Sequence, residues 1–415
     1  AQRDDGNWQG ALEALKELER SHPQFQDHEG VRAWAERHQR RDHRFQTARL
    51  AMLSHEWSVA VTALQEILAD FPDDAEAAQL LTQAYAEWQA HPSQTRLLQR
   101  EANRSSFSTR SPSKSSASPQ QTVQAMIEQG QYALALDILA TMLTHRQSRQ
   151  HAAQLASTLI ETRAVPLSLR MRAAEIATQV ADFRPGVCEL EPAWCSFPAG
   201  TYQIGSQRVT LDSFQISRYP ITVRQFQRFW QDEQGYQSKQ WWTSEGWAWK
   251  QETGINRPYR WGRTEVMVGH LPIIGVSWYE AMAFCNWLTY NRPSQGLLQR
   301  RPIVRLPTEA EWEVAAMWDA QQDQMRPWKP RPGEYWENNL HLQLDQPTPV
   351  GMFPEGMSPS GALDMAGNVW EWCSSRYSDY PAGSGRTQFD FSPNEIGPAL
   401  RGGSFNTPSH QSGWQ

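Results

Sequence analysis

The run Arg305-Leu306-Pro307-Thr308-Glu309-Ala310-Glu311-Trp312-Glu313 reads as a helix start on its own residues. Pro307 sets the turn, Thr308 supplies the N-cap oxygen, and Glu311, three residues on, completes a capping box. Two later stretches carry the same density of signal: Gly367-Asn368-Val369-Trp370-Glu371-Trp372 and Arg401-Gly402-Gly403-Ser404-Phe405. Their glycines mark backbone positions where a side chain would clash, and Arg401 reads as the partner of a buried acid.

Working outward, TYQIGS (201–206) and RVTLDSFQIS (208–217) alternate apolar and polar residues between turn signals, as strands do. Two helices interrupt them. One is expected near Thr222 to Asp232. The other runs from Ser277, a capping residue, to about Asn291, with Trp278, Ala281, Met282, Cys285 and Leu288 on one face.

Together with Phe197-Pro198-Ala199-Gly200, Ile204-Gly205, Tyr219-Pro220-Ile221-Thr222 and Gly275-Val276-Ser277-Trp278, these motifs resemble the formylglycine-generating enzyme family, the sulfatase-modifying domain, in order and spacing. The resemblance implies a compact α+β domain of the C-type-lectin type over 187–415, with few regular strands. Large rigid indoles suit such a core. Four of the 20 Trp precede residue 190, and the other 16 lie between Trp194 and Trp414. Trp278, Trp312, Trp370 and Trp372 fall inside the motifs and are assigned to the core. Trp241, Trp242, Trp247, Trp249, Trp261 and Trp414 are left for recognition.

Asn368, the backbone carbonyl of Val369 and Glu371 form the hard-oxygen set that Ca²⁺ prefers. The resemblance implies structural calcium there and at a second loop near Asn338, Asn339 and Asp345. The Pro-Trp-Gly that usually precedes the second loop is Pro327-Trp328-Lys329 here. In active members of the resembled family two Cys after the Arg-Gly-Gly-Ser motif bind copper and oxidise a substrate cysteine. Thr407 and Ser412 hold those positions here, and hydroxyls are poor ligands for copper(I), so no copper is expected. Cys285 and Cys373 read as inert core thiols, and Cys188 and Cys195 sit at the domain entrance. An iron-dependent branch takes its ligands from a helical His-x3-His-x-Glu pattern, and residues 1–190 contain none. In a third, ligand-binding branch the surface would comprise Asn406, Thr407, Ser409, His410, Gln411, Ser412 and Trp414. Family domains continue to a final Gly-Phe-Arg-type strand, so 187–415 reads as truncated, with a strand slot open to a partner.

The N-terminal part is built on a different pattern. WQGALEALKELERSHP from Trp8 recurs as WSVAVTALQEILADFP from Trp57, and again as YALALDILATML from Tyr132. Copies of one amphipathic helix signature mean a repeat, and the stretch from Phe45 to Trp88 resembles tetratricopeptide repeats. The resemblance implies a solenoid over 1–100 that binds a protein partner, for example a protease or NTPase of the same system. A Ser-rich flexible linker is expected over 101–121 and a further helical repeat over 122–186. His22, His28, His38, His43 and His55 show no metal-ligand spacing, and the basic run Arg37 to Arg44 reads as a solvated helix face.

Composition narrows the classes further. With 39 Lys plus Arg against 45 Asp plus Glu, the net charge of -6 supplies no large positive field, so no nucleic-acid binding is expected. Four Cys exclude a disulfide scaffold. No stretch approaches the ~18 apolar residues of a membrane span. The expected setting is therefore the cytoplasm, within a multidomain chain that begins at Ala1 and looks like a piece of a longer one.

On these residues the leading expectation is a non-catalytic bacterial sensor or adaptor. Its helical repeats would hold a partner, and its lectin-like domain would recognise a ligand within a signalling or defence assembly. The alternative is a divergent formylglycine-generating-type or nonheme-iron oxidoreductase whose remaining C-terminal tail completes the site.

Overall fold

The computed structural model describes residues 14–15, 30–53, 57–90, 119–263, 267–292, 302–322, 324–325, 336–376 and 397–408. The chain divides into two compact units, 1–116 and 117–415.

In the first unit, helices α1 (Val31–Leu53), α2 (Trp57–Asp70) and α3 (Ala75–Ala90) pack in sequence. Ala48, Ala51, Ala60 and Ala77 are fully buried, which lets Phe45, Leu64 and Ile67 interlock at close helix separation. Asp74 ends one helix and begins the next by accepting from the Ala77 N–H at 3.0 Å. The basic run is not simply solvated: Arg41 pairs with Asp74 at 2.6 Å, Arg44 with Asp70 at 2.5 Å and Glu66 at 3.0 Å. Arg49, beyond the run, pairs with Glu76 at 2.6 Å. The region is helical as expected. The copy beginning at Trp8 lies almost wholly outside the described residues, as does most of the Ser-rich segment.

The second unit opens with α4 (Pro119–Glu128), α5 (Tyr132–Leu143), α6 (Arg149–Ile160) and α7 (Leu167–Thr178). These helices are locked to the C-terminal fold by charge. Arg170, 5% exposed, grips Glu355 with two hydrogen bonds at 2.9 and 2.5 Å and donates to the Met352 carbonyl. Glu161, just past α6, accepts from Arg184 at 2.9 Å, from Arg218 at 3.0 Å and from the Tyr219 hydroxyl.

Beyond residue 190 the strands among the described residues form four separate antiparallel pairs: β1 (Trp194–Phe197) with β4 (Phe214–Ser217), β2 (Gly200–Ile204) with β3 (Gln207–Leu211), β5 (Trp318–Asp319) with β6 (Gln324–Met325), and β7 (Glu371–Arg376) with β8 (Pro398–Arg401). Such short pairs cannot stabilise themselves, so helices and indoles fill the space between them. Among the described residues, three helices start on capping boxes: α8 (Val223–Gln231) at Thr222 and Gln225, α10 (Trp278–Asn291) at Ser277 and Glu280, and α11 (Glu309–Met317) at Thr308 and Glu311. The first and second match the helices expected from the sequence, and the third is the start on which the reading began. Helix α9 (Ser244–Thr253) lies between them, in a stretch where no helix was expected.

The distribution of Trp differs from the expectation in both directions. Trp242 and Trp261 are buried in an aromatic core with Phe226, Phe229, Tyr236 and Phe284, while Trp241, Trp247 and Trp249 pack against it, so these five are not a free recognition set. The region between α8 and α10 therefore carries its own core. Trp370, assigned to the core, is 41% exposed.

Candidate functional site

Four segments meet around Trp312, whose ring is fully buried. Its indole N–H donates to Glu371 at 2.7 Å. Arg401 stacks over the ring at 5.3 Å, pairs with Glu313 and lies 3.6 Å from Glu309, the buried-acid partnership expected of this arginine. The Gly367 N–H donates to the Gly402 carbonyl at 2.8 Å and the Phe405 N–H to the Asn368 carbonyl at 3.0 Å, so the two glycine-bearing motifs are stitched together by backbone. Gly367 is obligatory: at φ +71°, a Cβ there would stand 2.4 Å from the Asn338 carbonyl.

Burial pushes the Glu371 carboxyl up to about 8 against the Trp312 hydrogen bond. Burial likewise lifts Asp364 to about 7, opposed by the Gly351 N–H and by Arg184. Two acids therefore hold protons near neutrality, as groups suited to donating one do. Burial raises the Cys373 thiol beside this centre well above its ordinary value and takes Cys285, which lies apart from it, up to about 12, so both thiols stay protonated near neutrality.

Of the residues expected to bind ligand, Asn406 and Thr407 are described, and Ser409, His410, Gln411, Ser412 and Trp414 lie outside the described residues. Thr407 is buried at 8% exposure. Its hydroxyl is 2.8 Å from the Ser404 hydroxyl and accepts from the Ser404 N–H at 3.2 Å, while its carbonyl holds the Leu340 N–H. Thr407 therefore closes a turn rather than facing a ligand, and the position does not fit copper. Asn406 lies on the rim of the same turn, accepting from Ser404 at 2.6 Å.

The residues named for metal are only partly assembled. Asn368 (φ +63°) accepts at its side-chain oxygen from the Thr348 N–H at 2.9 Å and from Asn338 at 3.3 Å. Its backbone N–H donates to the Asn338 carbonyl at 2.7 Å. The Asn338 side-chain oxygen is buried with no hydrogen-bond partner, which a cation or water would supply. Val369 is buried; Asn339 caps a short helical turn through the His341 N–H, and Asp345 lies at φ +55° in the same loop. Glu371 gives one oxygen to Trp312 instead of joining a visible ligand set. Among the described residues, no three His, Cys, Asp or Glu converge as metal ligands. They therefore do not by themselves fit iron.

A second polar centre was not anticipated. Burial opposes charge on Asp182, but Arg184 and hydrogen bonds from His270 and Arg184 hold its pKa well below the carboxylate range. Burial keeps His270 below its usual value in spite of Asp182. The segment Arg184-Pro185-Gly186 reads only as the end of a helix, so nothing local marked this network. Elsewhere, a cleft of about 620 Å³ runs between β4 and residues 302–307, lined by Phe197, Ile216, Phe284, Cys285 and Arg305 among others. Its lining includes nothing from 367–372 or 401–408.

The sulfatase-modifying factor enzyme 1-like domain family matches residues 182–413, more than half of the chain. The chain belongs to that family. Similar proteins include hercynine oxygenase of Mycobacterium tuberculosis, 35% identical over 185 residues, which are 42% of this chain and 40% of that protein. The serine/threonine-protein kinase pkn1 of Chlamydia caviae is 31% identical over 171 residues, 41% of this chain and 24% of the kinase. The inactive C-alpha-formylglycine-generating enzyme 2 of Bos taurus is 27% identical over 231 residues, 43% and 69% of the two. The chain spans about 40% of the length of the hercynine oxygenases it matches.

The likeness to hercynine oxygenases overturns the non-catalytic adaptor. That expectation rested on two hydroxyls at 407 and 412 and on one missing histidine pattern. Those residues exclude one ligand set, not oxidative chemistry on the same scaffold. No helix among the described residues is long and apolar enough to cross a membrane.

Proposed function

We propose that the second unit is an oxygen-dependent oxidoreductase domain acting on a histidine-derived betaine, as the name hercynine oxygenase implies for its relatives, together with a thiol, as active members of the resembled formylglycine-generating family oxidise a cysteine. The observation that carries this reading is 35% identity over 185 residues to those relatives. Supporting it are two carboxyls raised to about 7 and 8 beside the paired glycine motifs, poised to exchange protons near neutrality. An iron centre would supply the oxygen chemistry, and no step is assigned to it, because the described residues assemble no ligand set for it. What they do is structural and acid–base: Trp312, stacked under Arg401, fixes Glu371, and Asn368 fixes the turn that bears Asn406.

Two subsidiary proposals accompany it. A Ca²⁺ ion at the Asn338–Asn368 junction would satisfy the unpartnered Asn338 oxygen, and the hairpin of α2 and α3 would act as a tetratricopeptide-type surface for a protein partner. The test of the main proposal is oxygen uptake by the full chain after anaerobic Fe(II) addition, with hercynine and cysteine supplied together. Uptake that requires both substrates supports it, and uptake equal to the Fe(II) blank overturns it.

A further inference from the structure

The cleft between β4 and residues 302–307 is walled on both sides by backbone. Among the described residues β4 pairs with β1 alone. The Arg218 N–H reaches the Ala193 carbonyl at 2.7 Å, and the register continues through Cys195–Ile216 to Phe197–Phe214. Bonded positions alternate along an antiparallel pair, so Gln215 and Ser217 turn their N–H and C=O away from β1, on the side of the cleft they line. The opposite wall is built alike. Val304 spends both backbone groups on the Thr289 hydroxyl, donating at 2.9 Å and accepting at 3.3 Å. Its neighbours Ile303, 80% exposed, and Arg305 also line the cleft and direct their backbone groups to the other side. Farther along this wall the Pro307 carbonyl accepts the Ser374 N–H of β7 at 2.8 Å. An extended chain in the cleft would join the β1–β4 pair, through this wall, to the β7–β8 pair.

We propose that the cleft is a docking surface for an extended peptide segment of a partner protein, uncharged and apolar at alternate residues, held by strand addition. A compact apolar ligand would cover the backbone groups of both walls without pairing them, whereas an extended chain offers N–H and C=O to each side at the repeat of a strand. The floor takes the apolar residues: Ile216, Ile221, Phe284 and Leu288 lie there. Charge selects against the others. Arg292 is held by Glu191 at 3.3 Å and Arg305 by Glu311 at 2.6 Å, so a charged side chain entering the cleft would lose water and gain no counter-ion. The surface shares no residue with 367–372 or 401–408, and the inference stands apart from the oxygenase reading.

The test is fluorescence anisotropy of the full chain with a labelled peptide of alternating Thr and Val. One control peptide carries N-methyl groups at alternate amides, which removes the donors of one edge, and another carries Lys in place of Thr. Gln215→Pro and Ile303→Pro each remove one N–H from a wall, at positions where it faces the cleft. The unaltered chain is expected to bind the Thr-Val peptide at least ~tenfold more tightly than either control. Q215P and I303P are each expected to lose most of that binding with unchanged thermal melts, and bound peptide is expected to slow amide hydrogen exchange at Gln215, Ser217, Ile303 and Arg305. Absence of binding, equal binding of the N-methylated peptide, or full binding by folded I303P overturns the proposal. A dimer in sedimentation that excludes the peptide assigns the cleft to a second copy of this chain and overturns it as well.

Discussion

Replacing Glu161 by Ala tests whether the helices α4 to α7 and the motif-bearing fold are one cooperative unit. Glu161 is 19% exposed at its side chain and takes hydrogen bonds from Arg184, Arg218 and Tyr219. Arg184 is the costly partner, because its side chain is only 6% exposed. Removing one member of a buried ion pair costs about 3–5 kcal/mol. Arg184 keeps Asp182 at 2.7 Å, so the lower end applies, about 3 kcal/mol. For a unit of this size that is a fall of about 5 °C in Tm by calorimetry. Glu161→Gln, which keeps the acceptor oxygen, is expected to fall about half as far. Glu76→Ala, breaking the half-exposed Arg49 pair in the first unit, serves as control at under ~1 kcal/mol. A shift below ~2 °C for E161A would refute the network as the tie between helices and fold.

Other outcomes follow from the same geometry. Trp312→Phe removes the donor to Glu371 and leaves a void, and is expected to cost about 2–4 kcal/mol by chemical denaturation. Gly367→Ala forces a Cβ to 2.4 Å from the Asn338 carbonyl in a left-handed backbone, so folded yield in expression is expected to collapse. Glu371 is raised to about 8 when folded and is near 4.5 when unfolded, so the folded state holds the extra proton between those values and wild-type stability falls as pH rises through that window. Glu371→Gln is expected to flatten that fall, with its Tm advantage growing from pH 5 to 8.5. If Ca²⁺ sits at Asn338 and Asn368, chelation with EGTA is expected to lower Tm by several degrees and added Ca²⁺ to restore it, an effect that Asn338→Leu abolishes.

The capping box at Thr308 and the cap at Ser277 were legible because a cap is a local pattern; that Glu280 closes a second box at Ser277 was not read. The Arg401 pairing was legible in kind, since an arginine taken into a core ahead of a glycine pair needs an acid, though Glu309 and Glu313 could not be named. The Glu161–Arg184–Asp182 centre was illegible, because its members are brought together by tertiary packing and none sits in a periodic or motif-bearing run. Exposure of individual indoles was also hidden: Trp242 and Trp261 lie in irregular segments with no face to read, and Trp370 stands outside the core next to Glu371, whose side chain meets the buried Trp312. The functional reading went astray at Thr407, where the sequence shows a missing thiol and the structure shows a hydroxyl closing a turn.

The most direct measurement is a single turnover under ¹⁸O₂ by the anaerobically Fe(II)-loaded full chain, with hercynine and cysteine, read by mass spectrometry. Conversion of hercynine to a product that carries ¹⁸O is the predicted result. Unchanged hercynine, with cysteine oxidised no faster than by free Fe(II), would contradict the account.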